Sequence, residues 1–163
     1  MKAQTIKSIL ATLALSSLSA VAQAQVPVYG ANINLDQARK AVAAAVAEMR
    51  KQNLPPMAVA VVDNAGQLVA FERLDNTQTA STMVAQDKAM SAAMYRRPTK
   101  AFEDLVAAGG AGLRVFTLRG ANAAEGGLPI TVDGKIIGGI GVSGGSGQQD
   151  GMAAKAGVDS LAK

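Results

Sequence analysis

A dense set of glycines lies in residues 126–151, which read GGLPITVDGKIIGGIGVSGGSGQQDG. Glycine at this density indicates either disorder or backbone geometry that other residues rarely adopt. The apolar residues between the glycines are β-branched, and Asp133-Gly134 separates two runs of them as a two-residue turn that favours positive φ. The pattern therefore predicts an antiparallel hairpin with strands at about 128–133 and 135–143.

The second of these strands carries three glycines, which are unusual inside a strand. Glycine inside a strand costs stability unless a backbone, a side chain or a ligand approaches it closely. These residues are Gly138, Gly139 and Gly141. We expect the hairpin to pack tightly on a helix. A phosphate-binding loop at 143–147, ahead of a terminal helix within 148–163, is the alternative, although no GxxxxGK[ST] motif is present.

Residues 1–24 have the pattern of a secretory signal peptide. Two lysines precede an apolar run over 9–21, and an Ala-Gln-Ala motif ends at Ala24. The run is too short to span a membrane comfortably, so we expect cleavage after Ala24 and not an uncleaved anchor. Residues 25–163 would then form a single domain that is periplasmic or secreted and is not attached to the membrane.

The composition excludes several classes of function. The chain has 16 basic and 12 acidic residues, and two of the lysines lie in the signal peptide, so no nucleic-acid-binding surface is indicated. It has no cysteine, so an exported form holds together without disulfides. It has no histidine, which excludes Ser-His-Asp catalysis and every histidine-ligated metal or haem site.

Local patterns predict the first three elements. Asn34 and Gln37 have the spacing of a capping box, and apolar residues at three- and four-residue intervals predict a helix over about 35–52. The apolar runs at 57–62 and 68–71, separated by a DNAG turn, predict a hairpin.

The middle of the chain predicts two more helices and a strand. The helices are expected at 77–94 and 100–108, with Thr99 as the cap of the second, and a third strand at 113–118. The expected buried face of the longer helix comprises Ala80, Met83, Val84, Ala89, Met90, Ala93 and Met94. Because hairpins cannot build a purely parallel sheet, the whole order predicts an α+β fold: a five-stranded antiparallel sheet with helices on its faces.

The densest polar cluster comprises Tyr95, Arg96, Arg97 and Thr99, which we call the arginine corner. It is either a solvated corner or a polar edge for an anionic ligand. Arg73, at the end of a strand, is either a surface charge or a ligand anchor. Lys88 falls near the buried side of its helix, so it either extends to water or faces a cavity.

Several segments resemble the GlcG/HbpS family, which includes the C-terminal domain of PduO-type proteins. They are VVDNAGQLVAFERLD, QDKAMSAA, GGLPITVDGKIIGGIGVSGG and QQDGMAAKAG, and the match runs from about Asn34 to the C-terminus. The positions that match the family pattern are Asp63, Gly66, Arg73, Lys88, Gly127, Pro129, Gly138, Gly141, Gly144 and Asp150.

The resemblance implies a profilin-like α/β/α fold and homo-oligomers of up to eight subunits. In the exported branch it implies haem binding, with roles in haem sensing, storage or degradation. A threonine of the haem-sensing branch corresponds to Thr99. Thr99 or Tyr95 is therefore a candidate ligand of haem iron, and Tyr29, Lys88 and a helix methionine stay open as alternatives.

Three functions follow as competing hypotheses. The first is an exported module that binds haem or a related tetrapyrrole, with Arg96 and Arg97 pairing with the propionates. The second is an enzyme on a small organic acid or on haem, with Lys88 or Asp63 transferring protons and Arg73 anchoring a carboxylate. The third is a purely structural oligomeric subunit without a catalytic residue.

Overall fold

The computed structural model describes residues 26–162, so the predicted signal peptide lies outside the described residues. The elements are α1 (Leu35–Lys51), β1 (Ala58–Val62), β2 (Leu68–Arg73), α2 (Ser81–Tyr95), α3 (Lys100–Ala108), a 3-10 helix (Gly110–Thr117), β3 (Gly127–Val132), β4 (Lys135–Ser143) and α4 (Gly147–Asp159). The α+β prediction is confirmed, and both predicted hairpins are present.

The sheet has four strands in the order β2-β1-β4-β3, and every neighbouring pair is antiparallel. The prediction of five strands is therefore wrong, because residues 113–118 lie mainly in the 3-10 helix. Gly109 and Gly110, at φ of 70° and 54°, turn the chain directly after α3. Val115 is then the one residue of that helix that is buried. A short apolar run of this kind satisfies a strand or a helix equally well, so its pattern alone cannot decide.

Local signals in the sequence predicted the boundaries well. The capping box of α1 is formed, since the Asn34 side chain accepts a hydrogen bond from the Gln37 amide at 2.8 Å and the Gln37 side chain accepts one from the Asn34 amide at 3.1 Å. The turn of the second hairpin has φ of 49° at Asp133 and 73° at Gly134, as the two-residue turn requires.

Helices cover both faces of the sheet, so the fold has three layers. On one face α1 and α4 pack against Val59 and Val61 of β1 and against Ile140 and Val142 of β4, and this is the larger core. On the other face α2 packs against the alanines of β1. Period-two alternation in β1 supplies both faces at once, which is why Ala58–Val62 is buried throughout.

Helix α2 lies very close to β4, and the strand glycines permit this approach. A Cβ atom added to Gly141 would be 2.0 Å from the carbonyl oxygen of Ala85, and one added to Gly139 would be 2.5 Å from that of Ala89. The expected packing of the glycine strand on a helix is thus found. Its consequence is a buried helix face made of small residues.

The methionines of α2 lie mostly outside this contact. Met83 is 68% exposed and Met94 is 46% exposed, so their assignment to the buried face is wrong. A long side chain would hold the helix away from the glycine strand, and the alanines therefore occupy that face. The helix also begins at Ser81 and not at 77, since Thr77 closes a turn by donating its hydroxyl hydrogen to the Leu74 carbonyl.

No helix within residues 26–162 is long and apolar enough to cross a membrane. Nor does that part of the chain contain a group of three or more acidic side chains arranged to hold a metal ion.

Candidate ligand-binding site

The arginine corner forms at the end of α2 and is partly exposed. Arg96 caps the helix with left-handed backbone geometry, and its guanidinium lies 5.4 Å from the centre of the Tyr29 ring. The guanidinium of Arg97 lies 5.5 Å from the centre of the Phe102 ring. Both arginines therefore stack on aromatic faces and keep their charges at the surface, where an anion can reach them.

The two candidate oxygen ligands of this corner already have partners. The Tyr95 hydroxyl donates to the carbonyl of Arg119 at 2.8 Å. Thr99 is fully buried, and its hydroxyl accepts a hydrogen bond from the Gly127 amide at 2.9 Å. The expected side-chain cap by Thr99 is absent, because its backbone is helical and a capping residue has extended geometry. Thr99 instead fastens the start of α3 to β3.

An apolar groove of about 410 Å³ is lined by residues of α3, β3 and α4 and by the residues just before β3. Its walls include Gly126, Gly127, Leu128, Gly151 and Met152, and we call it the apolar groove. Two lysines, Lys100 and Lys155, also line it. Each lysine also pairs with a carboxylate of its own helix, Lys100 with Asp104 and Lys155 with Asp159. The groove thus combines an apolar surface with two lysines and the carboxylate of Glu125.

A buried ion pair connects α2 with α4. The ammonium of Lys88 lies 2.7 Å from a carboxylate oxygen of Asp150 and 3.1 Å from the carbonyl oxygen of Val142. Each residue is 3% exposed, so of the two alternatives for Lys88 the extension to water is wrong. Burial raises the pKa of the Asp150 carboxyl above its ordinary value, although Lys88 and the amides of Gly145 and Gly144 oppose that rise.

The three residues of the enzyme hypothesis do not come together. Asp63 accepts hydrogen bonds from the amides of Ala65 and Gln67, so it shapes the β1–β2 turn. Arg73 pairs with Ala58 at the opposite end of the same hairpin, roughly 15 Å or more from Asp63 by strand rise. Lys88 has Asp150 as its carboxylate, and sequence reasoning missed this pairing. The signal available was an acidic residue in the first turn of a helix.

A second cavity, of about 350 Å³, lies beside the ion pair, and we call it the polar cavity. Helix α2 contributes Ser81 and Lys88. Ser143, the last residue of β4, and Gly144, the first residue of the loop that follows, also line it. Arg73 is in the same row of the sheet as Ser143, two strands away, since both pair with Ala58. Sequence reasoning singled out Lys88 here, and Ser143 only as the first residue of the alternative phosphate-binding loop at 143–147; it missed Ser81.

A family model described as "Haem degrading protein HbpS-like" matches residues 33–159. The chain belongs to the HbpS-like family. That match covers every element from α1 to α4.

Relatives of known sequence or structure agree with the HbpS-like assignment. The GlcG protein of Escherichia coli strain K12 is 39% identical over 107 residues, which are 66% of this chain and 78% of GlcG. The crystal structure of HbpS has a TM-score of 0.73 and 32% identity, covering 81% of this chain and 92% of HbpS. A PduOC structure in complex with haem has a TM-score of 0.71 and 26% identity, covering 80% of this chain and 95% of PduOC.

Several positions that carried the resemblance to the HbpS-like family now have structural explanations. Gly138 and Gly141 allow close approach of neighbouring backbone, and Gly127 contacts both Thr99 and the backbone of Lys88. Lys88 and Asp150 form the buried pair. Asp63 and Gly66 build a turn, so the family pattern mixes architectural residues with residues beside the two cavities.

Proposed function

We propose that this protein binds haem or a related tetrapyrrole. The observation that carries the proposal is the similarity to the PduOC–haem complex over nearly the whole of that chain, together with membership of the HbpS-like family. Haem sensing, storage and degradation all begin with this binding step. When bound, haem would supply iron-centred redox chemistry, and the protein would supply orientation and charge.

The apolar groove has the features that a tetrapyrrole needs. A flat macrocycle requires an apolar wall without protruding side chains, and three of the residues named for this wall are glycines. Haem also carries two propionates, and the groove has two lysines among its lining residues. At about 410 Å³ the groove would hold part of the macrocycle, and the rest would lie over the neighbouring surface.

Exposure and existing hydrogen bonds rank the candidate iron ligands. Met152 lines the groove and is 41% exposed, and a thioether is an established axial ligand of haem iron. Tyr95 and Thr99 would have to break the hydrogen bonds described above before either hydroxyl could reach iron. We therefore assign the iron to Met152, with Tyr95 and Thr99 as the ligands to be tested against it. Arg96 and Arg97 stay as the alternative partners of the propionates.

Hemin titration followed at the Soret band tests this assignment. Met152→Leu keeps nearly the same volume, so we expect a folded protein whose Soret band is shifted, because an axial ligand changes the electronic state of the iron. Lys100→Ala/Lys155→Ala should leave the band position unchanged and weaken binding by roughly tenfold or more, because the propionates lose two cationic partners. Lys40→Ala/Lys51→Ala removes the same charge from α1 and serves as the control.

The outcomes distinguish whether haem binds at all from where on the protein it binds. Absence of any Soret change in the wild type would refute haem binding itself. A shift in Tyr95→Phe or Thr99→Ala, with none in Met152→Leu, would move the iron to the arginine corner. Weakening in Arg96→Ala/Arg97→Ala, with none in the lysine variant, would move the propionates there.

We also propose that the protein is exported and forms a homo-oligomer outside the cytoplasm. Export is supported by the leader pattern in residues 1–24. Self-association is supported by apolar side chains that the single chain leaves uncovered, chiefly Phe116 at 73% and Leu113 at 48% exposure in the 3-10 helix. A second copy of the chain would remove this surface from water.

Mass spectrometry of protein taken from the periplasm tests both parts. Under denaturing conditions we expect the mass of a chain that begins at Gln25, and under native conditions a multiple of it. A mass that retains Met1–Ala24 would refute cleavage. A single-subunit mass at micromolar concentration would refute the oligomer, and Phe116→Ser should lower the subunit number if the 3-10 helix lies in the interface.

A further inference from the structure

The polar cavity has chemistry that the proposed haem site leaves unused. It lies between the start of α2, the end of β4 and the start of α4, and it is about 350 Å³ in volume. The apolar groove and the polar cavity share the wall formed by Glu125, but they open between different elements. The polar cavity is therefore a separate place for a small molecule.

Two buried hydroxyls in its wall have no partner. Ser81 is 3% exposed and Ser143 is 7% exposed, and both line the cavity. Ser81 shares the buried face of α2 with Ala85 and Lys88, and Ser143 pairs with Ala58, whose side chain is on the α2 side of the sheet. No hydrogen bond joins either hydroxyl to another group of residues 26–162, and neither is among the fully buried side-chain atoms without a partner there, which are Asn64 Oδ1 and Thr82 Oγ1. Both hydroxyls are therefore open to the cavity, where they can donate to or accept from a molecule in it.

Two further donors face the same space. An ammonium has three hydrogens, and that of Lys88 uses two of them on Asp150 and Val142. Gly147 is the first residue of the 13-residue helix α4, so its amide has no intrahelical partner. The cap at Ser146 satisfies the Gln149 amide instead. Gly147 lines the cavity.

The charges of the cavity indicate what kind of molecule it accepts. Lys88 is the one cation among the described residues that line it, and Asp150 already neutralises Lys88. Glu103 and Glu125 add two carboxylates to the wall, of which Glu103 is shared with Lys100 at 3.6 Å outside the cavity. The excess of negative charge disfavours an anionic ligand. Hydroxyl groups can donate to the carboxylates and accept from Lys88 and the serines.

We propose that the polar cavity binds a small uncharged polyol, held by Ser81, Ser143 and Lys88 on one side and by Glu125 on the other. The molecule is independent of haem, and the site would let the protein respond to a second compound.

Saturation-transfer difference NMR on the purified protein tests the proposal with a matched series of probes. Glycerol, erythritol and xylitol are the polyols, and glycerate and 2-amino-1,3-propanediol are the anionic and cationic analogues of glycerol. We expect saturable signals from at least one polyol and weaker binding of glycerate, because the carboxylates of the wall repel an anion. Tighter binding of the amine than of glycerol would show that these carboxylates select a cation and would overturn the uncharged ligand. Ser81→Ala and Ser143→Ala should each weaken polyol binding by about threefold to tenfold, as loss of one hydrogen bond does.

Thr82→Val is the matched control, because it removes a hydroxyl of the same helix that is fully buried, has no partner and lies outside the cavity. It should bind the polyol as the wild type does. The proposal is overturned if no polyol saturates a signal, if glycerate binds more tightly than glycerol, or if the serine variants and Thr82→Val behave alike. Circular dichroism of each variant establishes that the fold is retained. None of these outcomes bears on the hemin titration, so either proposal can be refuted without the other.

Discussion

Lys88→Met is expected to lower the free energy of unfolding by about 3–5 kcal/mol, the cost of leaving one member of a buried ion pair without its partner. Methionine preserves most of the side-chain volume, so the loss would come from the carboxylate of Asp150, which is 3% exposed and would lose its ammonium at 2.7 Å. The amide of Gly145 would remain as a partner at 2.9 Å. Urea denaturation followed by far-ultraviolet circular dichroism measures the change, since the chain has no tryptophan to report by fluorescence.

Two further variants decide whether the charge or the packing is responsible. Lys88→Met/Asp150→Leu removes both charges and should recover much of the lost stability, because a buried pair and an apolar replacement are often nearly equal. Lys155→Met breaks an exposed pair on the outer surface of α4 and should change the unfolding free energy by less than about 1 kcal/mol. A Lys88→Met loss no larger than that of Lys155→Met would contradict the structural role of the buried pair.

Gly141→Ala is the second substitution with a large expected effect. The added Cβ would lie 2.0 Å from the carbonyl oxygen of Ala85 and 2.5 Å from the amide nitrogen of Ala89. Both atoms belong to the backbone of α2 and cannot rotate away, so the helix would have to move off the sheet. We expect a loss of about 3 kcal/mol or more, at the upper end of the cost of overpacking a core.

Gly147→Ala supplies the comparison for this glycine. Its added Cβ would meet the Cβ of Glu125 at 3.1 Å, a contact that a shift of a few tenths of an ångström in the loop before β3 relieves. The expected change is below about 1 kcal/mol, because alanine also favours the helix that begins there. Equal midpoints in urea for the two variants would show that α2 does not lie on β4 as closely as the structure places it.

The arrangement of α2 also explains the errors of the sequence-based prediction. The three-residue spacing of methionines and alanines correctly predicted a helix, but the methionines were assigned to its buried face. The choice of face depends on the surface opposite, and the glycines of β4 accept only small residues there. The 3-10 helix follows the same logic, since the turn at Gly109 and Gly110 directs segment 113–118 onto α3 and not along an edge of the sheet.

The sequence by itself determined the features that depend on neighbouring residues. The capping box of α1 and the positive φ of the Asp133-Gly134 turn were predictable, because each follows from hydrogen bonds or steric limits within a few residues. The strand glycines indicated a close approach, but only the structure identified α2 as the helix that makes it. Only the tertiary structure paired Lys88 with Asp150 across 62 positions and placed Ser81 beside Ser143. Such contacts depend on which elements pack together, and the pairing is fixed by burial of the whole core and not by any local preference.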